Sequence, residues 1–329
     1  MDKVLLKVEN LKKYFPVRGG IFSKQIASVR AVDDVSFDVR QGETFGLVGE
    51  SGCGKTTLGR CILRLIEPTE GRILFEGKNL LELSPGDLRV LRKRMAMIFQ
   101  DPLSSLNPRM TVADIIGKPL DIHNIVKGKE KIQHVIELMK LVGLSSEHLY
   151  RYPHEFSGGQ KQRIGIARAL AVDPTLIVAD EAVAALDVSV RAGVLNLMKD
   201  LQRKLGLTYI FISHDLSVVK HICDRVAAMY LGEIVEIADG KDFFNNPLHP
   251  YTRALISAIP IPDPTVEKKR ILLEGDPSTP IDPPPGCRFH ERCMFADERC
   301  MKEKPPLKEI SPDHWVACHE LRYSNIVDV

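Results

Sequence analysis

Residues 49–56 carry the clearest chemistry in the sequence, because they read Gly-Glu-Ser-Gly-Cys-Gly-Lys-Thr and fit the pattern G-x-x-x-x-G-K-[ST]. A strand-like apolar run precedes them and a helix-like run follows, as a phosphate-binding loop requires. Glycines let backbone N–H groups converge on phosphate oxygens, Lys55 adds a mobile positive charge, and the Thr56 hydroxyl suits a magnesium ion. The candidate phosphate-site residues are Gly49, Glu50, Ser51, Gly52, Cys53, Gly54, Lys55, Thr56 and Thr57.

A pair of carboxylates follows a second apolar run. Residues 176–181 read Leu-Ile-Val-Ala-Asp-Glu, which indicates a buried strand that ends in Asp180 and Glu181. Parallel sheets bind nucleotides beyond the carboxyl ends of their strands. Asp180 is therefore expected to hold magnesium through water, and Glu181 to polarise an attacking water molecule.

The elements that would position these groups follow from the periodicity of apolar residues. Residues 1–48 alternate apolar and polar positions, which predicts β-strands, and a helix and another strand should follow the glycine-rich loop. The pattern is helical from about 110 to 150, and helices alternate with buried strands over 160–240. We predict an α/β core that spans residues 1–258 and carries a helical insert at about 101–165.

Composition limits the class of protein. The chain has 329 residues, of which 44% are apolar and 27% are charged, close to the average of globular proteins. Its formal net charge of +2 is too balanced for a protein whose main partner is nucleic acid. The sequence shows neither an apolar run of about 18 residues nor a signal peptide. We therefore predict a soluble, cytoplasmic protein with no nucleic-acid partner.

The C-terminal part has a different composition. Proline enrichment beyond Ala258 predicts a linker, followed by a small cysteine-bearing region, and together they span residues 259–329. The chain has seven cysteines, of which Cys53, Cys61 and Cys223 are scattered and four lie in the tail. This distribution does not form a secreted disulfide pattern and fits a reducing compartment. Four thiolates in one short segment indicate zinc or an iron–sulfur cluster, and a tail without metal is the third alternative. The candidate ligands are Cys287, Cys293, Cys300 and Cys318, with His290, His314 and His319 nearby.

The segment Phe156-Ser157-Gly158-Gly159-Gln160, followed by KQRIGIARAL, resembles the signature sequence of ABC-type ATPases. Ser157 and the glycines open a helix whose N–H groups can meet an anion, which suits a second phosphate clamp. The resemblance implies a P-loop ABC-type nucleotide-binding domain with a β-subdomain and a helical insert, here with a small cysteine-bearing C-terminal appendage. It also implies that each ATP lies between the P-loop of one subunit and the signature segment of a partner.

The same resemblance implies roles for further residues. Gln100 would sense magnesium and the transmembrane partner, Asp187 would lie at the dimer contact, and His214 would touch the γ-phosphate. An aromatic side chain would stack on adenine, with Phe15 as the first candidate and Tyr14 as the alternative.

Two positions depart from the family pattern. Ala182 stands where the family usually has proline, and Ala184 stands where it usually has serine. Both changes leave the carboxylates in place, so they are expected to affect the rate and the coupling within the dimer rather than the activity itself.

A closer resemblance covers nearly the whole chain. The segments LKKYFPVRGG, FQDPLSSLNPRMTV and NPLHPYTRALISAIP are similar to those of ATP-binding subunits of oligopeptide and dipeptide importers, above all the F-type subunit. This resemblance implies that the chain binds ATP and Mg²⁺ and that its tail holds a 4Fe-4S cluster. It also implies a peripheral position at the cytoplasmic face of the inner membrane. The implied partners are a D-type ATPase or a second copy, two permeases and an extracytoplasmic peptide-binding protein. Importers of nickel or sugar, and non-transport ABC ATPases, are the alternatives.

Overall fold

The computed structural model describes residues 3–19, 24–101, 105–260, 270–273, 275 and 279–319. Its strands are β1 (Val4–Gly19), β2 (Lys24–Arg40), β3 (Thr44–Val48), β4 (Glu70–Phe75), β5 (Lys78–Asn79), β6 (Met95–Ile98), β7 (Leu176–Asp180), β8 (Thr208–Ile212), β9 (Arg225–Tyr230), β10 (Glu233–Asp239), β11 (Lys308–Ser311) and β12 (His314–Val316). Its helices are α1 (Lys55–Ile62), α2 (Pro85–Leu91), α3 (Val112–Ile122), α4 (Gly128–Leu141), α5 (Gly158–Leu170), α6 (Val188–Leu205), α7 (Leu216–Ile222), α8 (Gly240–Asn245), α9 (Pro250–Ser257) and α10 (Glu298–Lys302).

The chain forms two compact units. The first unit contains Lys3, Arg40–Thr44 and Leu80–Ile212, and the second contains Val4–Val39, Phe45–Asn79 and the chain from Ser213 onward. Within the described ranges, the structure contains no helix with the length and apolar character that crossing a membrane demands.

The first unit combines parallel strands with helices. Strand β7 pairs in parallel with β6 on one side and with β8 on the other, and every residue of β7 and β8 is buried. Helix α3 begins with a capping box formed by Thr111 and Asp114, and it packs against α4 and α5. Helices α3 and α4 fall within the span proposed for the helical insert, 101–165, whereas α5 runs past its end to Leu170, and the boundaries of the insert stay a prediction.

The second unit contains an antiparallel sheet and the strand that leads into the glycine-rich loop. The antiparallel sheet has the order β2-β1-β4-β5. Strand β3 pairs in parallel with β9, whose other neighbour β10 runs antiparallel to it. The strand–loop–helix order predicted around residues 49–56 is confirmed, because β3 ends at Val48 and α1 begins at Lys55.

The C-terminal cysteine-bearing segment is built into the second unit. Strand β12 pairs with β10 through Glu236 and Val316, and the Ala317 N–H donates to the Val235 carbonyl at 2.8 Å. Residues 280–282 also bond to β2, since the Arg30 N–H donates to the Pro280 carbonyl at 3.0 Å. The segment thus extends existing sheets, and the structure does not support a separate appendage. Most of the proline-rich linker lies outside the described residues.

Candidate functional site

The glycine-rich loop, residues 49–56 and hereafter the phosphate loop, has a backbone that only glycine tolerates at two points. Gly49 and Gly54 adopt φ angles of 149° and 109°. A Cβ atom at Gly49 would lie 2.2 Å from the Met229 carbonyl oxygen, and one at Gly54 would lie 2.0 Å from the Ala31 carbonyl oxygen. Neighbouring backbone therefore encloses the loop on both sides, which holds its N–H groups close to one conformation.

Lys55 lies inside the loop rather than in solvent. Its side chain is buried, with the residue 5% exposed, and its Nζ donates to the carbonyl oxygens of Gly49 and Glu50 at 2.8 Å each. The Cys53 sulfur is also 3.6 Å from this Nζ. Burial raises the pKa of the Cys53 thiol, although the nearby ammonium opposes the shift. The ammonium is thus held at the point where a phosphate oxygen would offer a stronger, charged acceptor.

The first unit brings Gln100 and Glu181 together. Ile98 at the end of β6 lies opposite Ala179 of β7, so Gln100 and Glu181 follow the carboxyl ends of neighbouring strands. The Gln100 Nε2 donates to Glu181 Oε2 at 2.6 Å. This hydrogen bond restricts the orientation of the Glu181 carboxylate.

The acidic pair sits at the buried carboxyl end of β7. Asp180 is the last residue of the strand and is 2% exposed. Glu181 has a left-handed φ of 46°, and its N–H donates to the Ile212 carbonyl at 2.9 Å. The left-handed φ ends the extended conformation of β7 directly after Asp180.

The turn after Glu181 closes without the family's usual proline. The Ala184 N–H donates to the Glu181 carbonyl at 3.0 Å, and Ala182 is buried beneath the turn. The backbone hydrogen bond therefore supplies the geometry that a proline would otherwise favour. Ala184 itself is exposed, so a serine hydroxyl at this position would face solvent.

The signature segment, residues 156–160, forms the start of α5. Ser157 is the N-cap, and it forms a capping box with Gln160, whose side chain accepts a hydrogen bond from the Ser157 N–H at 3.0 Å. Phe156 is buried edge-on against His148, which accounts for a large apolar residue at this position. Asp187, the N-cap of α6, is exposed. The segment therefore presents a helix N-terminus, whose backbone N–H groups and dipole favour the binding of an anion.

The two aromatic candidates for adenine differ in their surroundings. The Tyr14 hydroxyl donates to the Asp33 carboxylate, and burial together with this bond raises the pKa of Tyr14. Arg30 also lies 5.6 Å from the Tyr14 ring centroid. Phe15 is 37% exposed, with the Lys13 ammonium 4.8 Å from its ring centroid.

His214, the residue proposed for the γ-phosphate, lies in the second unit. It follows the buried Ser213, whose N–H donates to the Leu47 carbonyl of β3 at 3.2 Å. His214 is exposed, unlike a histidine of the core.

The four tail cysteines share one neighbourhood. All are free thiols, and the Cys287 N–H donates to the Cys300 carbonyl at 2.8 Å. The pKa of Cys287 is raised to about 12, chiefly by burial and further by the thiols of Cys300, Cys318 and Cys293. Among the residues that the structure describes, however, no three His, Cys, Asp or Glu side chains are grouped so that they could hold a metal ion. The structure therefore does not support a preformed site for a single ion such as zinc.

Two residues that contact the phosphate loop were missed by sequence reasoning. The Tyr251 hydroxyl accepts a hydrogen bond from the Glu50 N–H at 2.8 Å, and the Arg292 guanidinium bonds to the Glu50 carboxylate. The only sequence signals were Tyr251 in the segment His-Pro-Tyr and Arg292 beside Cys293. Neither signal indicates a contact with the loop.

Comparison with known proteins agrees with this geometry. A family model described as "ABC transporter" matches residues 32–184, and one described as "Oligopeptide/dipeptide transporter, C-terminal region" matches residues 235–300. The oligopeptide transport ATP-binding protein AppF of Bacillus subtilis is 52% identical over 321 residues, which cover 97% of this chain and 98% of AppF. The probable peptide ABC transporter ATP-binding protein y4tS of Sinorhizobium fredii is 52% identical over 97% of this chain and 90% of its own.

A solved structure shares the fold. The ATP-binding cassette MJ0796, a dimer in a post-hydrolysis state bound to ADP and Pi, is 27% identical and superposes with a TM-score of 0.63. The match covers 71% of this chain and 98% of that one. Together with the identity to AppF over nearly the full length, this establishes the predicted P-loop α/β fold. The chain belongs to the ATPase subunits of ABC transporters, in the group with an oligopeptide/dipeptide transporter C-terminal region.

Proposed function

We propose that ATP hydrolysis by this chain energises the uptake of di- and oligopeptides through a membrane permease complex. The observation that carries this proposal is the 52% identity to AppF, which extends over 97% of the chain and includes the C-terminal region. A nucleotide-binding core alone would support ATP hydrolysis without indicating the cargo. The match to the C-terminal region, outside the nucleotide-binding core, favours peptides as the cargo.

The proposed roles of the site residues combine their chemistry with what the family resemblance implies. The phosphate loop and Thr57 hold the triphosphate, and Thr56, Gln100 and Asp180 serve the magnesium ion. Glu181 polarises the attacking water, and His214 contacts the γ-phosphate. The first turn of α5, with Ser157, Gly158, Gly159 and Gln160, and the exposed Asp187 serve the nucleotide bound by a partner subunit.

The partners follow from the same proposal. The second ATPase is a related D-type subunit or another copy of this chain, and the dimeric cassette MJ0796 supports such a pairing. Two permease subunits receive the conformational change, and an extracytoplasmic binding protein delivers the peptide. The chain then works as a peripheral subunit at the cytoplasmic face of the inner membrane, with no nucleic-acid partner.

A cargo comparison tests the proposed function. The complex, assembled from this chain, a second ATPase subunit, two permeases and a binding protein, is supplied in turn with dipeptides, pentapeptides, Ni²⁺ and maltose. We expect peptides alone to stimulate ATP hydrolysis. Stimulation by Ni²⁺ or by the sugar would reassign the cargo, and ATPase activity that is indifferent to all four would indicate a non-transport ATPase.

Phe15 is proposed as the residue that stacks on adenine, because its ring is exposed while the Tyr14 hydroxyl is engaged by Asp33. Base–aromatic stacking contributes about 1–3 kcal/mol, so Phe15→Ala is expected to weaken ATP affinity roughly tenfold. Tyr14→Ala is the matched comparison, measured by the same nucleotide titration. A larger loss in Tyr14→Ala than in Phe15→Ala would assign the stack to Tyr14.

We further propose that Cys287, Cys293, Cys300 and Cys318 hold a 4Fe-4S cluster. Soft thiolate ligands suit iron–sulfur clusters. The four thiols share one neighbourhood, in which the Cys287 N–H donates to the Cys300 carbonyl, and four cysteine thiolates are the ligand set of such a cluster. A bound cluster would also supply the positive charge that keeps buried thiolates deprotonated.

Anaerobic purification, followed by a visible spectrum and by iron, sulfide and zinc analysis, tests the cluster. We expect about four irons and four sulfides per chain, with broad absorbance near 400 nm. Cys300→Ser should lose most of the iron, whereas Cys223→Ser, which changes a cysteine outside the tail, should retain it. Stoichiometric zinc, or no metal, would contradict the cluster and leave ATP binding unaffected.

A further inference from the structure

The second residue of the phosphate loop, Glu50, is held from two directions by the C-terminal part of the chain. Arg292 makes a bidentate ion pair with it, because Nη1 lies 2.9 Å from Oε2 and Nη2 lies 3.2 Å from Oε1. The Arg292 side chain is only 8% exposed. The Tyr251 hydroxyl accepts a hydrogen bond from the Glu50 N–H at 2.8 Å. Both the side chain and the backbone of Glu50 are therefore fixed.

Aromatic packing holds these two anchors in place. The rings of Tyr230 and Tyr251 are 4.8 Å apart between centroids, and Phe289 lies 5.3 and 5.5 Å from them. The Arg292 guanidinium lies 5.9 Å from the Tyr230 ring centroid. Rings in mutual contact have few alternative rotamers, so Tyr251 and Arg292 reach Glu50 from a rigid base.

The start of α9, which carries Tyr251, is itself tied to the tail by a buried carboxylate. Glu236 accepts hydrogen bonds from the N–H groups of Leu248 and His249 at 2.8 and 2.9 Å. The His314 Nε2 of β12 lies 2.7 Å from the same carboxylate. His249 Nδ1 in turn accepts a bond from the Tyr251 N–H at 3.1 Å. The position of Tyr251 is thus set by a chain of hydrogen bonds that runs from His314 of β12 through Glu236 of β10 to His249.

We propose that Tyr251 and Arg292 are positioning residues for ATP binding, which act through Glu50 on the phosphate loop. The proposal rests on the proposed role of this loop in holding phosphate. Tyr251 fixes the loop backbone before the nucleotide arrives, which lowers the entropy lost on binding. Arg292 neutralises a carboxylate that would otherwise stand within an anion-binding loop and repel the triphosphate.

Nucleotide titration of the full-length chain with the magnesium complex of AMP-PNP, a nonhydrolysable ATP analogue, tests this proposal. Arg292→Ala is expected to weaken binding about tenfold, the factor that corresponds to the loss of one charge-assisted hydrogen bond. Tyr251→Phe, which removes one oxygen atom, is expected to cause a loss of about the same size. Arg299→Ala is the matched control, because Arg299 lies in the same tail, is 59% exposed and pairs with Glu303.

A double variant separates positioning from a general structural effect. If Arg292 acts by neutralising Glu50, then Glu50→Gln combined with Arg292→Ala should bind AMP-PNP more tightly than Arg292→Ala alone. A tail that is merely destabilised would show no such rescue. Wild-type affinity in Tyr251→Phe, or absence of rescue in the double variant, would overturn the proposal. Lys55→Ala, titrated in parallel, reports separately on the phosphate loop, because unchanged affinity there would contradict the proposed function instead.

Discussion

Replacing Glu181 by glutamine is expected to lower the rate of ATP hydrolysis by about 10²- to 10⁴-fold while ATP binding stays close to that of the wild type. The amide has the shape of the carboxylate but cannot accept a proton from the attacking water. Glutamine also keeps the side-chain size at a residue whose φ is 46°, so the turn should not change. Single-turnover hydrolysis in the assembled complex, together with nucleotide titration, measures both quantities.

The Glu181→Gln variant is also expected to trap ATP-bound subunits in association, because hydrolysis normally ends the closed state. Size-exclusion chromatography in the presence of ATP and the partner subunit detects the trapped complex. Glu147→Gln is a suitable control, since Glu147 is an exposed glutamate of the same unit. Hydrolysis at the wild-type rate in Glu181→Gln would contradict the role of Glu181.

Lys55→Ala is expected to reduce ATP affinity about a hundredfold. The Lys55 ammonium, now bonded to two loop carbonyls at 2.8 Å, would lose its charge-assisted bonds to phosphate, worth about 1.5–3 kcal/mol each. Calorimetric titration with ATP in the absence of magnesium measures the effect without hydrolysis.

Two controls accompany the Lys55 measurement. Thermal unfolding of Lys55→Ala reports whether the fold is destabilised when the Gly49 and Glu50 carbonyls lose the ammonium that donates to them. Arg60→Ala removes a positive charge from an exposed position on the same helix, so it should bind ATP normally. Equal affinities of Lys55→Ala and the wild type would mean that the phosphate loop does not bind ATP.

The phosphate loop and strand β7 could be predicted from the sequence because each is encoded by a few consecutive residues. The glycines at 49 and 54 are required by backbone that approaches within 2.2 Å of where a Cβ atom would lie, so their spacing reflects local geometry. An uninterrupted apolar run predicts a buried parallel strand, and all five residues of β7 are buried.

Contacts between distant parts of the chain could not be read from the sequence alone. Gln100 and Glu181 are 81 residues apart, and their hydrogen bond depends on the β6–β7 register. The family resemblance assigned a role to each residue without predicting this bond. Arg292 and Glu50 are 242 residues apart, and no local pattern relates them.

The organisation of the tail differs from its prediction for a similar reason. Proline content predicted a separate appendage, yet β12 pairs with β10 of the second unit. Strand β12 has three residues, too few for a periodic pattern to reveal it. Its place in the sheet depends on partners that lie earlier in the chain.

Peptide uptake into proteoliposomes is the most direct test of the central claim that this chain's ATP hydrolysis drives peptide import. The complex is reconstituted with ATP on the side of the ATPase subunits and with the binding protein and a radiolabelled dipeptide on the other. We predict accumulation that requires ATP and is lost when Glu181→Gln replaces the wild-type chain. Uptake that persists with Glu181→Gln, or hydrolysis without any peptide uptake, would contradict the claim.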